Sequence, residues 1–129
     1  MILIDTCAIV WDALDAKRLS SRARAAIDKP SAELLICDIS LWEISMLMKR
    51  KRIEVAETPS EFIRLALRAR NYSVQAITPE IAELSVNFGP ELSNDQADRI
   101  IAATSVLLNA PLVTADKNLI KSSLLETIW

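Results

Sequence analysis

Compact apolar runs alternate with longer segments of helical period along the whole chain, and that alternation limits the available folds more than any other feature. Ile2, Leu3 and Ile4 open the series as a buried strand. "ELLIC" (33–37), "VQAI" (74–77), Leu112 to Thr114 and "LETIW" (125–129) continue it, the last as an edge strand. Between them lie the helical patterns "AIVWDAL" and "SSRARAAID", the second with Ser20 or Ser21 available to cap it. "SLWEISMLMKRK" follows, with Leu41, Ile44 and Met48 at helical spacing and an S-x-x-E capping box formed by Ser40 and Glu43. "TPSEFIRLALRARN" repeats that signature with Thr58, Pro59 and Glu61. "TPEIAELSVNF" begins at Thr78 and is stopped by Gly89-Pro90, and "DQADRIIAATSVLLNA" is the most strongly patterned helix. Strands that alternate with helices need right-handed crossovers. The expected architecture is therefore α/β in three layers, with a mainly parallel sheet of four to five strands covered on both faces and the 129 residues forming a single domain.

The composition narrows the chemistry. There is no histidine, which removes Ser-His-Asp and Cys-His catalysis, histidine acid–base cleavage and every histidine-containing zinc site. One glycine, Gly89, cannot make a phosphate-cradling loop. Cys7 and Cys37 stand at apolar positions and are expected to be free, buried thiols in a reducing cytosol. No apolar stretch is long enough to span a bilayer and no leader pattern opens the chain, so the expected location is cytoplasmic. Any catalytic group must come largely from Asp, Glu, Ser, Thr, Lys, Tyr or Cys.

Buried strands seldom end on a carboxylate, yet Asp5 directly follows Ile4. In open parallel sheets, sites form beyond the carboxyl ends of strands. Asp5 and Asp116 each follow a strand, Glu43 sits in the helix entered from "LLIC", and Asp98 sits near the start of the helix before "LVTAD". Carboxylates gathered at one rim raise each other's pKa unless they share a cation. Hard divalent ions accept such oxygen ligands, activate water and steady charge on a phosphoryl oxygen, with no call for histidine. Each acid also has an ordinary explanation. Glu43 is explained by the box with Ser40, Asp95 and Asp98 by a helix N-terminus, and Asp116 by a cap on the next turn.

"LIDTCAIVW", "DISLWEIS", "DQADRIIAATS" and "LVTAD" resemble the acidic motifs of the PIN-domain family, in the same order and over essentially the whole chain. The length and the basic run after the Glu43 helix most resemble the VapC-type toxin ribonucleases, partners of VapB-type antitoxins. The resemblance implies a magnesium- or manganese-dependent endoribonuclease. Its acidic quartet falls on Asp5, Glu43, Asp98 and Asp116, with Thr6, Asp95 and Thr114 supporting the ligands. It also implies a homodimer and an antitoxin whose C-terminal segment lies over the groove. Many such toxins carry His-x-Asp-Pro-x-Asp-Arg, whereas "SNDQADR" places Ser93 and Gln96 where the His and Pro stand, which leaves the quartet intact.

With a net charge of −2, the chain is no indiscriminate polyanion binder. Positive charge is local: Lys49, Arg50, Lys51 and Arg52 end one helix, and Arg64, Arg68 and Arg70 follow on the next. That run reads as an RNA-positioning rim or as a solvated helix cap. Trp11 and Trp42 are placed in the core, with base stacking as the alternative. Two further readings stand beside the nuclease: a catalytically inactive PIN-like binding module, and a receiver-type phospho-acceptor domain.

Overall fold

The computed structural model describes residues 1–129. The strands are β1 (Ile2–Ile4), β2 (Leu34–Cys37), β3 (Ser73–Gln75), β4 (Leu112–Val113) and β5 (Thr127–Ile128). The helices are α1 (Thr6–Leu14), α2 (Ser21–Asp28), α3 (Asp38–Lys49), α4 (Pro59–Ala69), α5 (Pro79–Asn87), α6 (Gln96–Leu108) and α7 (Lys117–Lys121). One sheet runs in the order β3-β2-β1-β4-β5, and every pairing is parallel. β1 therefore lies at the centre, with Leu3 in register with Leu35 on one side and Leu112 on the other. A receiver domain has the flavodoxin-like order 2-1-3-4-5. The observed order removes that reading.

Alternation along the strands builds two cores. Ile4, Leu34, Ile36 and Val113 pack with Ile9, Ala23, Ile27, Ile44 and Phe62, which come from α1, α2, α3 and α4. Leu3, Cys37 and Leu112 join Ile101, Ala102 and Leu119 of α6 and α7 on the opposite face. Burying each large aliphatic side chain contributes about 1.5–3 kcal/mol, so the buried pair Leu3 and Ile4 alone ties β1 firmly to both layers. The residue that follows them has little freedom to move.

Local signals set most helix boundaries. Ser20, not Ser21, caps α2 by accepting from the Ala23 amide at 3.1 Å. Thr58 and Glu61 form both halves of the expected capping box, and Thr78 caps α5. Three helices stop without glycine through residues in the left-handed region, Lys51 (φ 55°), Asn71 (φ 53°) and Asn109 (φ 50°). Behind α3, the Arg52 amide reaches back to the Leu47 carbonyl at 2.8 Å, so the basic run is a wound helix terminus.

The second expected capping box is absent. α3 begins at Asp38, directly behind β2, so Ser40 and Glu43 are its third and sixth residues and cap nothing. Ser40 is fully buried and its hydroxyl meets that of Thr6. α1 likewise starts earlier than its apolar pattern, because Asp5 caps it directly.

Candidate functional site

The carboxyl ends of β1, β2 and β4 open into one cleft of about 640 Å³. Asp5, Glu43, Asp95, Asp98 and Asp116 line it, together with Thr6, Cys7, Trp11, Trp42, Met46 and Arg50. The four acids singled out from the sequence are thus brought to one place, although they are up to 111 positions apart in the chain.

Asp5 is held from two sides. Its Oδ1 accepts from the Thr6 amide at 2.8 Å and its Oδ2 accepts from the Thr114 hydroxyl at 2.7 Å. The Thr114 hydroxyl also accepts from the Asp116 amide at 3.0 Å, so one side chain fixes two of the acids. Thr6 plays the matching part for α3, since its hydroxyl donates to the Glu43 carboxylate and meets Ser40 at 2.8 Å. The sequence signal for Ser40 was misassigned to a cap. Its location, three residues before Glu43, serves the cleft instead.

Asp95 is exposed and caps α6, its Oδ1 accepting from the Asp98 amide at 2.9 Å. Asp116 caps α7 in the same manner, accepting from the Leu119 amide at 3.0 Å. Both ordinary explanations are therefore realised, and each acid keeps its second oxygen clear of those bonds. The "SNDQADR" segment is fastened by Arg99, whose guanidinium donates to the carbonyls of Ser93 at 2.8 Å and Phe88 at 2.9 Å, among others. Ser93 is a turn residue here, its amide donating to Asn118 Oδ1 at 3.0 Å.

Electrostatics distinguishes this cleft from the rest of the molecule. The Asp98 carboxyl is pushed up to about 7 by burial and by Asp95, Asp5, Asp116 and Glu43. Burial raises Asp5 first, the Thr114 and Thr6 hydrogen bonds offset part of that rise, and Asp116 and Asp95 add repulsion. Glu43 rises for the same reasons, partly offset by Thr6. The two ion pairs of the protein both belong to Arg70, so no Lys or Arg neutralises any of these acids.

Several sequence expectations change. Cys37 is buried, but Cys7 is exposed and lines the cleft. Although the residue as a whole is exposed, its thiol is partly desolvated among Asp5, Glu43 and Asp98, which pushes it up to about 11 and disfavours the thiolate. Trp11 does pack on the core, against Trp129 with ring centroids 5.8 Å apart. Trp42 does not: it is 58% exposed at the cleft edge. Of the basic run, Arg50 alone lines the cleft, while Lys49, Lys51 and Arg52 are exposed and do not line it. Arg70 is withdrawn from any such rim by its pairing with Asp12 and Asp28.

The donor chemistry suits a hard divalent cation, being all carboxylate and hydroxyl oxygen. No three of the acidic or sulfur side chains form a ready-made cage around a single point. Magnesium keeps several waters and takes one or two carboxylates, so a ring of acids around open volume fits it. No helix is long and apolar enough to cross a membrane.

The PIN domain profile matches residues 2–123. Ribonuclease VapC22 of Mycobacterium tuberculosis is 30% identical over 118 residues, spanning 92% of this chain and 88% of that protein. A toxin-antitoxin complex from Klebsiella pneumoniae superimposes with a TM-score of 0.67 at 24% identity, covering 97% of this chain and 95% of the other. VapBC2 from Rickettsia felis, bound to a DNA fragment from its promoter, gives 0.72 at 16% identity, covering 98% and 97%. Profile, relative and sheet order converge: the chain belongs to the PIN-domain family.

Proposed function

We propose that this protein is a divalent-metal-dependent endoribonuclease, the toxin of a toxin–antitoxin pair, which hydrolyses RNA phosphodiester bonds in the carboxylate cleft. One observation carries the reading: five acids from four places in the chain share a cleft in which none of them forms an ion pair. The ribonuclease relative supports the reaction class. The toxin–antitoxin neighbours share the fold and suggest a VapB-like antitoxin as partner, and we extend the same reading to a homodimer in the cytoplasm.

In this reading Asp5, Asp98, Asp116 and Glu43 hold magnesium or manganese. When bound, the ion lowers the pKa of a water and neutralises charge developing on the phosphoryl oxygens. The chain's own part is positioning. Thr114 fixes the Asp5 carboxylate and the Asp116 loop together, and Thr6 fixes Glu43, so the acids face the cleft with little reorganisation. Asp95 sets the start of α6 and with it the direction of Asp98. Arg50 receives a phosphate at the cleft edge, and Lys49, Lys51 and Arg52 raise the local concentration of the polyanion.

The test is cleavage of a mixed pool of structured RNAs by antitoxin-free protein, with magnesium or manganese and again with EDTA. Cutting that requires the metal is expected. Equal cutting in EDTA would contradict the metal role. A folded, metal-binding protein that cuts nothing in the pool would leave the inactive binding module as the better reading.

A further inference from the structure

Trp42 lies one residue before Glu43, and its indole forms the ridge between the carboxylate cleft and a second pocket of about 420 Å³. That pocket is lined by Asp38, Ile39, Ile77 and Ile100, and it shares Trp42, Gln96 and Ala97 with the cleft. Its volume falls in the range of about 300–1,000 Å³ typical of small-molecule sites. Two features of the ridge suit an occupant. The other two tryptophans are half-buried and pack on each other, whereas Trp42 is 58% exposed. The face that carries it runs Trp42, Met46, Arg50 along the cleft, an apolar platform that ends on a guanidinium.

We infer that the side pocket receives one unpaired base of the RNA, stacked on Trp42, while the neighbouring phosphate lies over the carboxylates. This rests on the nuclease reading and deepens it by giving one base of the strand a place beside the cleft. A double helix keeps its bases stacked inside and offers none to a side pocket, whereas splayed single-stranded bases stack on aromatic faces. Arg50, two helical turns along the same face, takes a phosphate further along the strand. The Gln96 side-chain amide, on a residue that lines both the cleft and the pocket, is the polar group available to the base edge.

The experiment measures binding of fluorescein-labelled hexanucleotides of A, C and U to the full-length wild-type protein, with calcium in place of magnesium as a hard cation for the oxygen ligands that does not support cutting. Trp42→Ala and Trp42→Phe are compared with the parent, with melting temperature as the control for folding. The expected result is a loss of about tenfold in affinity for Trp42→Ala with most of it restored in Trp42→Phe. A single abasic nucleotide should weaken the parent at one position and leave Trp42→Ala unaffected there. Unchanged affinity in a folded Trp42→Ala protein overturns the inference. If that variant instead loses only its affinity for the antitoxin, the ridge is a protein-docking site. Hexanucleotide binding that depends on Trp42 in a protein whose wild type cuts no RNA would sustain the base pocket and refute the nuclease. A parent that binds none of the hexanucleotides refutes both.

Discussion

Two regions of this molecule bury carboxylates, and they treat them in opposite ways. At the junction of α1, α2 and α4, the Asp12 side chain is 6% exposed and receives both arms of Arg70, at 2.7 and 2.8 Å. The same guanidinium pairs with Asp28 at 2.8 Å, and the Tyr72 hydroxyl lies 3.5 Å from Asp12. At the mouth of the sheet, Asp5 is 7% exposed and receives only neutral donors, with further acids around it. A protein that needs a buried carboxylate for structure supplies the countercharge itself, since an unpaired buried charge costs several kcal/mol. Where it gathers acids and withholds the countercharge, the missing charge is expected from outside. The contrast locates function more sharply than either region alone.

Breaking the contrast at its functional side should have the largest effect. Asp98→Asn removes one acid and should lower metal-dependent RNA cleavage about a thousandfold in a steady-state assay. Its metal-free melting temperature should hold or rise, because the lost charge was repelled by its neighbours. A folded variant with full activity would remove Asp98 from the site. On the structural side, Arg70→Ala should cost about 2–3 kcal/mol in urea unfolding, since it strands Asp12, while cleavage per folded molecule stays unchanged. Loss of activity without loss of stability would merge the two regions and end the comparison.

The two regions also differ in what pH does to them. The folded-state pKa of Asp98, about 7, exceeds its ordinary value of 3.8, so the folded protein binds a proton that the unfolded chain does not. The associated stability is fully present below about pH 4 and is lost as pH rises through 7, and Asp5 and Glu43 act in the same direction. Metal-free protein should therefore melt higher at pH 5.5 than at pH 8, and excess magnesium should erase or reverse the difference. A melting temperature independent of pH between these values would show that the acids do not repel each other. The smallest effect is expected at the end of α3. Lys51→Gly relieves a left-handed backbone and should stabilise the protein by about 0.5–1 kcal/mol, with a small loss of RNA affinity that fades at high salt because Arg50, not Lys51, is the residue at the cleft.

Much of this was legible in the sequence, for reasons that differ between residues. The alternation of apolar runs with helical patterns specified a parallel sheet because parallel strands demand crossovers, and the structure follows it strand by strand. Asp5 stood out because Ile2, Leu3 and Ile4 leave a carboxylate at that position without a local purpose. Ser40 and Glu43 misled because S-x-x-E is a local signature, and nothing local shows that α3 begins immediately after β2. Their true partner, Thr6, is 34 and 37 positions away. Trp42 was assigned to the core on residue type, although it falls on the helix face opposite to Ile44 and its spacing from Met46 and Arg50 was visible. The Arg70–Asp12–Asp28 cluster had no sequence signal, since it joins three helices through tertiary packing.

In the proposed function the cleft acids lack a countercharge so that they can take a divalent cation. The most direct measurement is the melting temperature at pH 8 across a titration of manganese, for the wild-type protein, Asp98→Asn and Arg70→Ala. A protein that binds a ligand only when folded gains stability with ligand concentration. The account predicts a saturable rise in the wild type and in Arg70→Ala, and little or none in Asp98→Asn. An identical response in all three, or no response in the wild type, would contradict it.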